Sequence, residues 1–456
     1  MDKPLRKVDH MMWDVEMPTS LVTITGMMTF KGKIDRKKVM TVLQERLLKF
    51  ERFHKKVIIK KGNPHWHPDE DFDLESHVHH LVLPGKGTHK VLQQTISDLM
   101  SEPLNYAKPL WQVHLIDNYN GGSAIVWRLH HAIADGIALV KVIFSLTGSS
   151  AKESLDLHLK PISSASKNKG KGFDKMLENL LHKGEDLFEE AGHLIREPHL
   201  LQDTLQNTWD TSKEIVNLFM GKTLKKSLYK GTLSASKIAA WSVDLPLQEV
   251  KELRSHYETT INDVLLALVT GALRKHLLHH GEKPQEGLRV VIPVNLRKKD
   301  DIIKMHNDIG MLSIELPVHL PSAAKRLHFI REKTQMLKHS IEPLLVNKLL
   351  EAVADYLPAF SKQKFADFMG SKIAAVVTNV PGPNHPVYLA GKKAEDILFW
   401  IPHTTPLGIG VSLMSYNNKV YLGVVTDKKV VDDPDFITKA FEAELRSMNR
   451  VLARKR

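Results

Sequence analysis

Ile125-Val126-Trp127-Arg128-Leu129-His130-His131-Ala132-Ile133-Ala134-Asp135-Gly136 is the stretch on which the reading of this chain turns. Residues 125–131 have the β-branched and aromatic side chains of a strand, and residues 137–144 return to helical periodicity, so two histidines stand where a strand ends. Successive strand residues face opposite sides. While that geometry lasts, His130 and His131 cannot both enter one cavity, and one is expected to react while the other supports it. Asp135 follows past a bend that Gly136 is expected to ease, near enough to hold the loop or a ring through a buried polar contact. A neutral imidazole with an ordinary pKa of about 6.5 can take a proton from an alcohol at physiological pH. The competing reading is a pair of satisfied histidines in an ordinary turn.

Outward from this point the chain reads as mixed α/β. Residues 111–116 and 123–130 form a hairpin around Asn118-Tyr119-Asn120-Gly121-Gly122, with a further strand at 21–30 and helices at 35–50 and 90–100. Near residue 160 the texture changes to Ser, Lys and Gly, and an apolar stripe at 173–194 reads as a helix packed on the protein or lying on a membrane surface. Alternation resumes at 238–243 (strand), 260–276 (apolar helix), 288–294 (strand), 326–340 (helix), 372–378, 408–415 and 420–425 (strands), with Tyr416-Asn417-Asn418-Lys419 as a hairpin turn. The expected organisation is an N-terminal domain at 1–160, a helical connection at 161–235 and a C-terminal domain at 236–456.

Composition narrows the chemistry. The 456 residues contain no cysteine, which removes disulfides, thiolate metal sites and a cysteine nucleophile, and fits a reducing, cytoplasmic compartment. No segment has the apolar length of a signal peptide or a membrane span, so a protein neither secreted nor membrane-spanning is expected. The net charge of +12 favours an anionic partner, namely nucleic acid, acidic lipid or a phosphate-rich cofactor. Nucleic acid is set aside, since no recognition helix, zinc-ligand pattern or aromatic-basic platform accompanies the charge. Clusters at His77/His79/His80 and His279/His280 lack an ordered second set of ligands and read as solvated surface histidines, so no metal is expected. There is no Gly-x-Ser-x-Gly elbow and no phosphate-cradling glycine loop, which leaves direct transfer between two bound substrates as the simplest scheme.

The His-His-x-x-x-Asp-Gly segment resembles the active-site motif of the CoA-dependent acyltransferase superfamily, which also holds the condensation domains of peptide synthetases. The rest of the chain resembles the bacterial wax ester synthase/diacylglycerol acyltransferase family nearly end to end. Pro4-Leu5-Arg6-Lys7-Val8-Asp9-His10-Met11, Phe72-Asp73-Leu74, Pro103-Leu104 and Pro109-Leu110-Trp111 stand in that family's order. Beyond the connection come Thr260-Ile261-Asn262-Asp263-Val264, Gly271-Ala272-Leu273-Arg274, Pro293-Val294-Asn295-Leu296-Arg297 and Thr378-Asn379-Val380-Pro381-Gly382-Pro383. Pro18-Thr19-Ser20 departs from the family's usual Pro-Met-His, and Asn307-Asp308-Ile309-Gly310 matches its pattern only loosely.

The resemblance implies an α/β (α+β) fold of two chloramphenicol-acetyltransferase-like domains with mixed sheets and an active-site channel between them. It implies His131 as general base, His130 in support and Asp135 as chiefly structural. Asn262 is placed near the channel, where its amide can donate to a thioester oxyanion, yet it reads equally as a helix N-cap; Asp263 reads as structural. Arg297 can pair with a carboxylate such as Asp135. The implied partners are a long-chain acyl-CoA, as substrate and with no cofactor, and a fatty alcohol or diacylglycerol. Substrates of that kind bring peripheral contact with the inner leaflet of the membrane or with lipid inclusions. Two further readings stay open: a stand-alone condensation-type enzyme with a carrier-protein donor, and an inactive lipid-surface binding protein.

Overall fold

A computed structural model of the chain describes residues 2–156, 227–295, 305–337, 346, 359–403 and 405–453. The expected connection at 161–235 lies outside these residues except for 227–235, and the stripe at 173–194 and Arg297 lie outside them entirely.

The hairpin that opens the sequence reading is present. Trp111–Tyr119 pairs antiparallel with Gly122–His130, Trp111 opposite Leu129, and the turn is made by Asn118, Asn120 and Gly121 at φ of 67°, 47° and 75°. Every residue of Gly122–His130 is buried, which is why its apolar run is continuous rather than alternating: a central strand is covered on both faces. It sits inside a six-stranded sheet ordered Tyr388–Leu389, Lys392–Trp400, Thr23–Phe30, Gly122–His130, Trp111–Tyr119, Val78–Val82. All neighbours are antiparallel except the last pair.

A second sheet runs Ile309–Leu316, Leu288–Asn295, Ala375–Pro381, Ile409–Tyr416, Lys419–Asp427, Lys237–Trp241, with parallel pairing on both sides of Ala375–Pro381. Its hairpin turn places Asn417 and Asn418 at φ of 47° and 61°. The helix Ile261–His279 is buried continuously from Asp263 to Leu273 because helices Leu247–His256, Ala323–Leu337 and Pro434–Ala453 pack around it. A small third sheet joins Lys3–Pro4, Asn63–Pro68 and Lys55–Lys60.

The two halves are interleaved more closely than a boundary at 161–235 implies. Lys392–Trp400, from the C-terminal half, is hydrogen-bonded along Thr23–Phe30 in the N-terminal sheet, opposite the side taken by the hairpin. One apolar cluster accordingly contains Ile24, Trp127 and Leu139 together with Phe399, Trp400, Met414 and Tyr421. Lys237 adds polar ties: its ammonium pairs with buried Asp427 at 2.6 Å and donates to the Thr19 carbonyl at 2.9 Å.

Two buried histidines give the fold a pH dependence. His114, inside the strand Trp111–Tyr119, and His403 are both pushed down to about 3, chiefly by burial and then by Arg128 and Lys237 respectively. Below about pH 6.5 the unfolded chain takes up protons at these positions that the folded chain refuses, so their contribution is complete above that pH and is lost as pH falls toward 3. Urea denaturation at pH 7 and pH 5 is expected to show a loss of about 2 kcal/mol for each of them. Equal stability at the two pH values would remove this account.

Candidate active site

The strand ends at His130, whose backbone N–H donates to the Leu110 carbonyl at 3.0 Å, and the next N–H, that of His131, turns to the Val22 carbonyl at 2.8 Å. The two rings then part. His130 is 1% exposed; its Nδ1 accepts from the Ala132 N–H at 3.0 Å, which leaves Nε2 as the protonated nitrogen, 2.9 Å from Glu16 Oε2. Glu16 is itself fixed by the Val22 N–H at 2.7 Å, and Trp13 covers the ring at 6.1 Å. His131 is partly exposed, while its Nδ1 is buried without a hydrogen-bond partner. Burial pushes this imidazole below its ordinary value; the Asp135 carboxylate and the Asn307 side chain pull the other way.

Asp135 is fully buried and serves as N-cap of the helix Gly136–Ser145: Oδ1 accepts from Ala138 N–H at 2.9 Å and Oδ2 from Asp308 N–H at 3.1 Å. One carboxylate thus holds both the start of this helix and a segment more than 170 residues further along. Asn307, beside it, donates from Nδ2 to the His131 carbonyl at 2.8 Å and to Asp9 Oδ1 at 2.7 Å, while its N–H reaches the same oxygen at 2.8 Å. Asp9 is paired with Arg52 at 2.8 Å, and Arg52 donates to the carbonyls of Ala132 and Ile133 at 3.1 and 2.6 Å. The backbone from the His131 carbonyl to the Ile133 carbonyl is therefore gripped by Asn307 and Arg52, which the buried Asp9 carboxylate joins.

Sequence reasoning missed Glu16, Arg52 and the part played by Asn307. Asp9 and Asn307 lie inside quoted motifs, but a partner so distant in sequence leaves no local signal. Gly136 is corrected: its φ is outside the left-handed region and an added Cβ would meet only Ile24 Cδ1 at 3.8 Å, so the bend places no demand for glycine on the backbone.

Asn262 is not the helix cap. Thr260 is, in a capping box with Asp263, whose Oδ2 accepts from Thr259 Oγ1, Thr260 N–H and Thr260 Oγ1 at 2.8, 3.0 and 2.7 Å, and whose Oδ1 accepts from Thr334 Oγ1 at 2.7 Å. Asn262, half-buried, accepts from Asn379 Nδ2 at 3.3 Å. In Pro381-Gly382-Pro383 the glycine is a close approach, since a Cβ would lie 2.5 Å from the Ser415 carbonyl oxygen and 3.4 Å from the Phe144 ring at the end of Gly136–Ser145.

Of the histidines expected at the surface, His80, His279 and His280 are exposed and His79 is half-buried, whereas His77 departs from expectation. His77 is buried, stacked on Trp111 at 4.5 Å and bonded to its carbonyl at 2.8 Å, and His79 stacks on His114 at 4.9 Å. His80 pairs with Asp117 at 2.8 Å, and His280 with Asp433 at 3.2 Å. Among the described residues the group that could ligate a metal through three side chains is His276, His280 and Asp433, not the surroundings of His131.

A cleft of about 430 Å³ opens beside Arg52, lined by Lys3, Arg6, Lys49, Lys55, Trp66 and Met305 among others. Its wall is one step from His131, because Arg52 carries both the cleft face and the bonds to Ala132 and Ile133.

The chain superposes on the wax ester synthase/diacylglycerol acyltransferase from Marinobacter aquaeolei VT8 with a TM-score of 0.69, at 19% identity over 98% of each chain. On the first condensation domain of the CDA synthetase the TM-score is 0.61, at 13% identity over 98% of this chain and 95% of that one. These likenesses define the class: an α+β fold of mixed sheets and helices, shared by such acyltransferases and condensation domains. The wax ester synthase/diacylglycerol acyltransferase catalytic domain matches residues 5–265 and the WS/DGAT C-terminal domain residues 305–449. The chain belongs to the bacterial wax ester synthase/diacylglycerol acyltransferase family, and with it to the acyltransferases. Its relatives include a probable diacylglycerol O-acyltransferase of Mycobacterium tuberculosis, 27% identical over 94% of this chain and 91% of that protein. Another is the O-acyltransferase WSD of Acinetobacter baylyi, 26% identical over 99% and 98%.

Proposed function

We propose that this protein transfers a long-chain acyl group from acyl-CoA to the hydroxyl of a fatty alcohol or a diacylglycerol, with His131 as general base. The observation that carries the reading is the contrast between the two histidines. His130 is sealed against Glu16, whereas His131 reaches solvent on a backbone clamped by Asn307 and Arg52. In this scheme the imidazole takes the alcohol proton as the oxygen attacks the thioester carbonyl. The tetrahedral intermediate then collapses with C–S cleavage, and the imidazolium returns the proton to the departing thiolate of coenzyme A. Asn262 is a candidate donor to the oxyanion, with Asp135 and Asp263 holding structure. The cleft lined by Lys3, Arg6 and Lys49, beside the Lys55–Glu51 pair, suits the phosphates of coenzyme A.

The architecture fits two units, one on each large sheet, with the reacting groups in a channel between them that acyl-CoA and alcohol enter separately. No helix among the described residues is long and apolar enough to cross a membrane. The charge of +12 supports peripheral attachment to an anionic lipid surface or a lipid inclusion. The likeness to condensation domains favours a second reading, in which the acyl donor is a carrier protein.

Release of coenzyme A from palmitoyl-CoA, with hexadecanol, with dioleoylglycerol and with neither, tests the proposal. Acceptor-dependent release is the expected result, and the faster acceptor names the product. No release with either acceptor would overturn the acyl-CoA assignment and move the donor to a carrier protein.

A further inference from the structure

We propose that His276, His280 and Asp433 form a binding site for a borderline transition-metal dication such as Zn²⁺, at the far end of the helix Ile261–His279 from Asn262. Residues four apart share a helix face, so His276 and the helix-capping His280 present their rings together, and the residue that precedes the helix Pro434–Ala453 brings a carboxylate to them. His276 Nε2 lies 2.9 Å from Asp433 Oδ1, and His280 Nε2 lies 3.2 Å from both Asp433 oxygens. One ligand atom from each of the three falls within 4.8 Å of the others. Tetrahedral zinc with bonds of about 2.0–2.1 Å separates its ligand atoms by roughly 3.3 Å, close to this spacing.

The polar surroundings prepare the right nitrogen. Tyr229 donates its hydroxyl proton to the Leu273 carbonyl at 3.2 Å, which leaves its oxygen to accept from His276 Nδ1–H at 3.1 Å. With a cation bound, His276 in the Nδ1–H tautomer presents its Nε2 lone pair to the ion, which replaces the direct Nε2–Asp433 contact and takes both groups as ligands. His276 is fully buried and anchors the group, while the side chains of His280 and Asp433 are 33% and 31% exposed, so an ion can enter and a water can complete the tetrahedron. Two imidazoles and one carboxylate suit zinc, cobalt or nickel better than calcium or magnesium. Bound there, the ion staples two helices that pack along each other.

A chain with 25 histidines binds zinc weakly in many places, so the test reads the tightest equivalent. The full chain, stripped with chelator, is titrated with Zn²⁺ by calorimetry and with Co²⁺ by visible absorption, alongside His280→Gln, Asp433→Asn and the exposed control His328→Gln. One tight equivalent is expected in the wild type and in the control, weakened about 10- to 100-fold in the other two, with tetrahedral cobalt bands that disappear in parallel. Absence of that equivalent from the wild type, or its survival in both His280→Gln and Asp433→Asn, would overturn the site and leave the group as histidine–aspartate pairs. Circular dichroism of each variant confirms that a lost equivalent is not a lost fold.

Discussion

His131→Ala is expected to lower acyl transfer to hexadecanol or dioleoylglycerol by about 10²-fold or more, in kcat rather than in the KM for palmitoyl-CoA. The ring is truncated, but the tether of the loop is not, because the Val22 and Asn307 bonds go to the backbone of this residue. Thermal stability should therefore change little. The same histidine sets the pH profile. Its imidazole is held below the ordinary value by burial, so the neutral base persists at pH 7, and the acid limb of kcat/KM belongs below about pH 6.5. Activity that survives the substitution within a factor of ten would assign the proton transfer elsewhere.

Asp9→Ala is expected to cost about 3–5 kcal/mol of folding stability, the loss typical when one member of a buried ion pair is removed. Arg52, with its side chain 13% exposed, would keep its charge and lose its counterion, and Asn307 would lose the acceptor of two hydrogen bonds. Urea denaturation of wild type and variant measures this directly. Since Asn307 and Arg52 also grip the carbonyls of His131, Ala132 and Ile133, the residual activity of the folded fraction should fall as well. A stability change under about 1 kcal/mol would mean that the pair is not what holds the loop.

What the sequence reveals of the fold follows the physics of neighbours. The hairpin at 111–130 and the one at 409–427 are legible because their turn asparagines and glycine and their strand side chains are adjacent in the chain. The helix Pro434–Ala453 is absent from the sequence reading, although Ile437, Ala440, Phe441, Leu445, Met448 and Leu452 recur at helical spacing. Thr260 and Asp263 carry a capping-box pattern that outweighs the Asn-Asp pair as a start signal. Lys392–Trp400 is harder to see. It opens on Lys392, Lys393, Glu395 and Asp396, and its register shifts between Ala394 and Ile397, which breaks the alternation that marks a strand. At the site, the strand-end histidines and Asp135 can be found from local pattern alone. Glu16, Arg52 and Asn307 cannot, because what makes them matter is contact across long stretches of chain.

The strand Lys392–Trp400 has a consequence for synthesis. Thr23–Phe30 leaves the ribosome more than 360 residues before the segment that closes its open side. At about 5–20 residues per second, that edge waits roughly 20–70 s without its partner. Over that interval a row of unpaired amides and carbonyls flanked by Ile24, Met27, Met28 and Phe30 is offered to any other nascent chain. Recovery of soluble protein should therefore respond to translation speed and chaperone supply more than to the stability of the finished molecule.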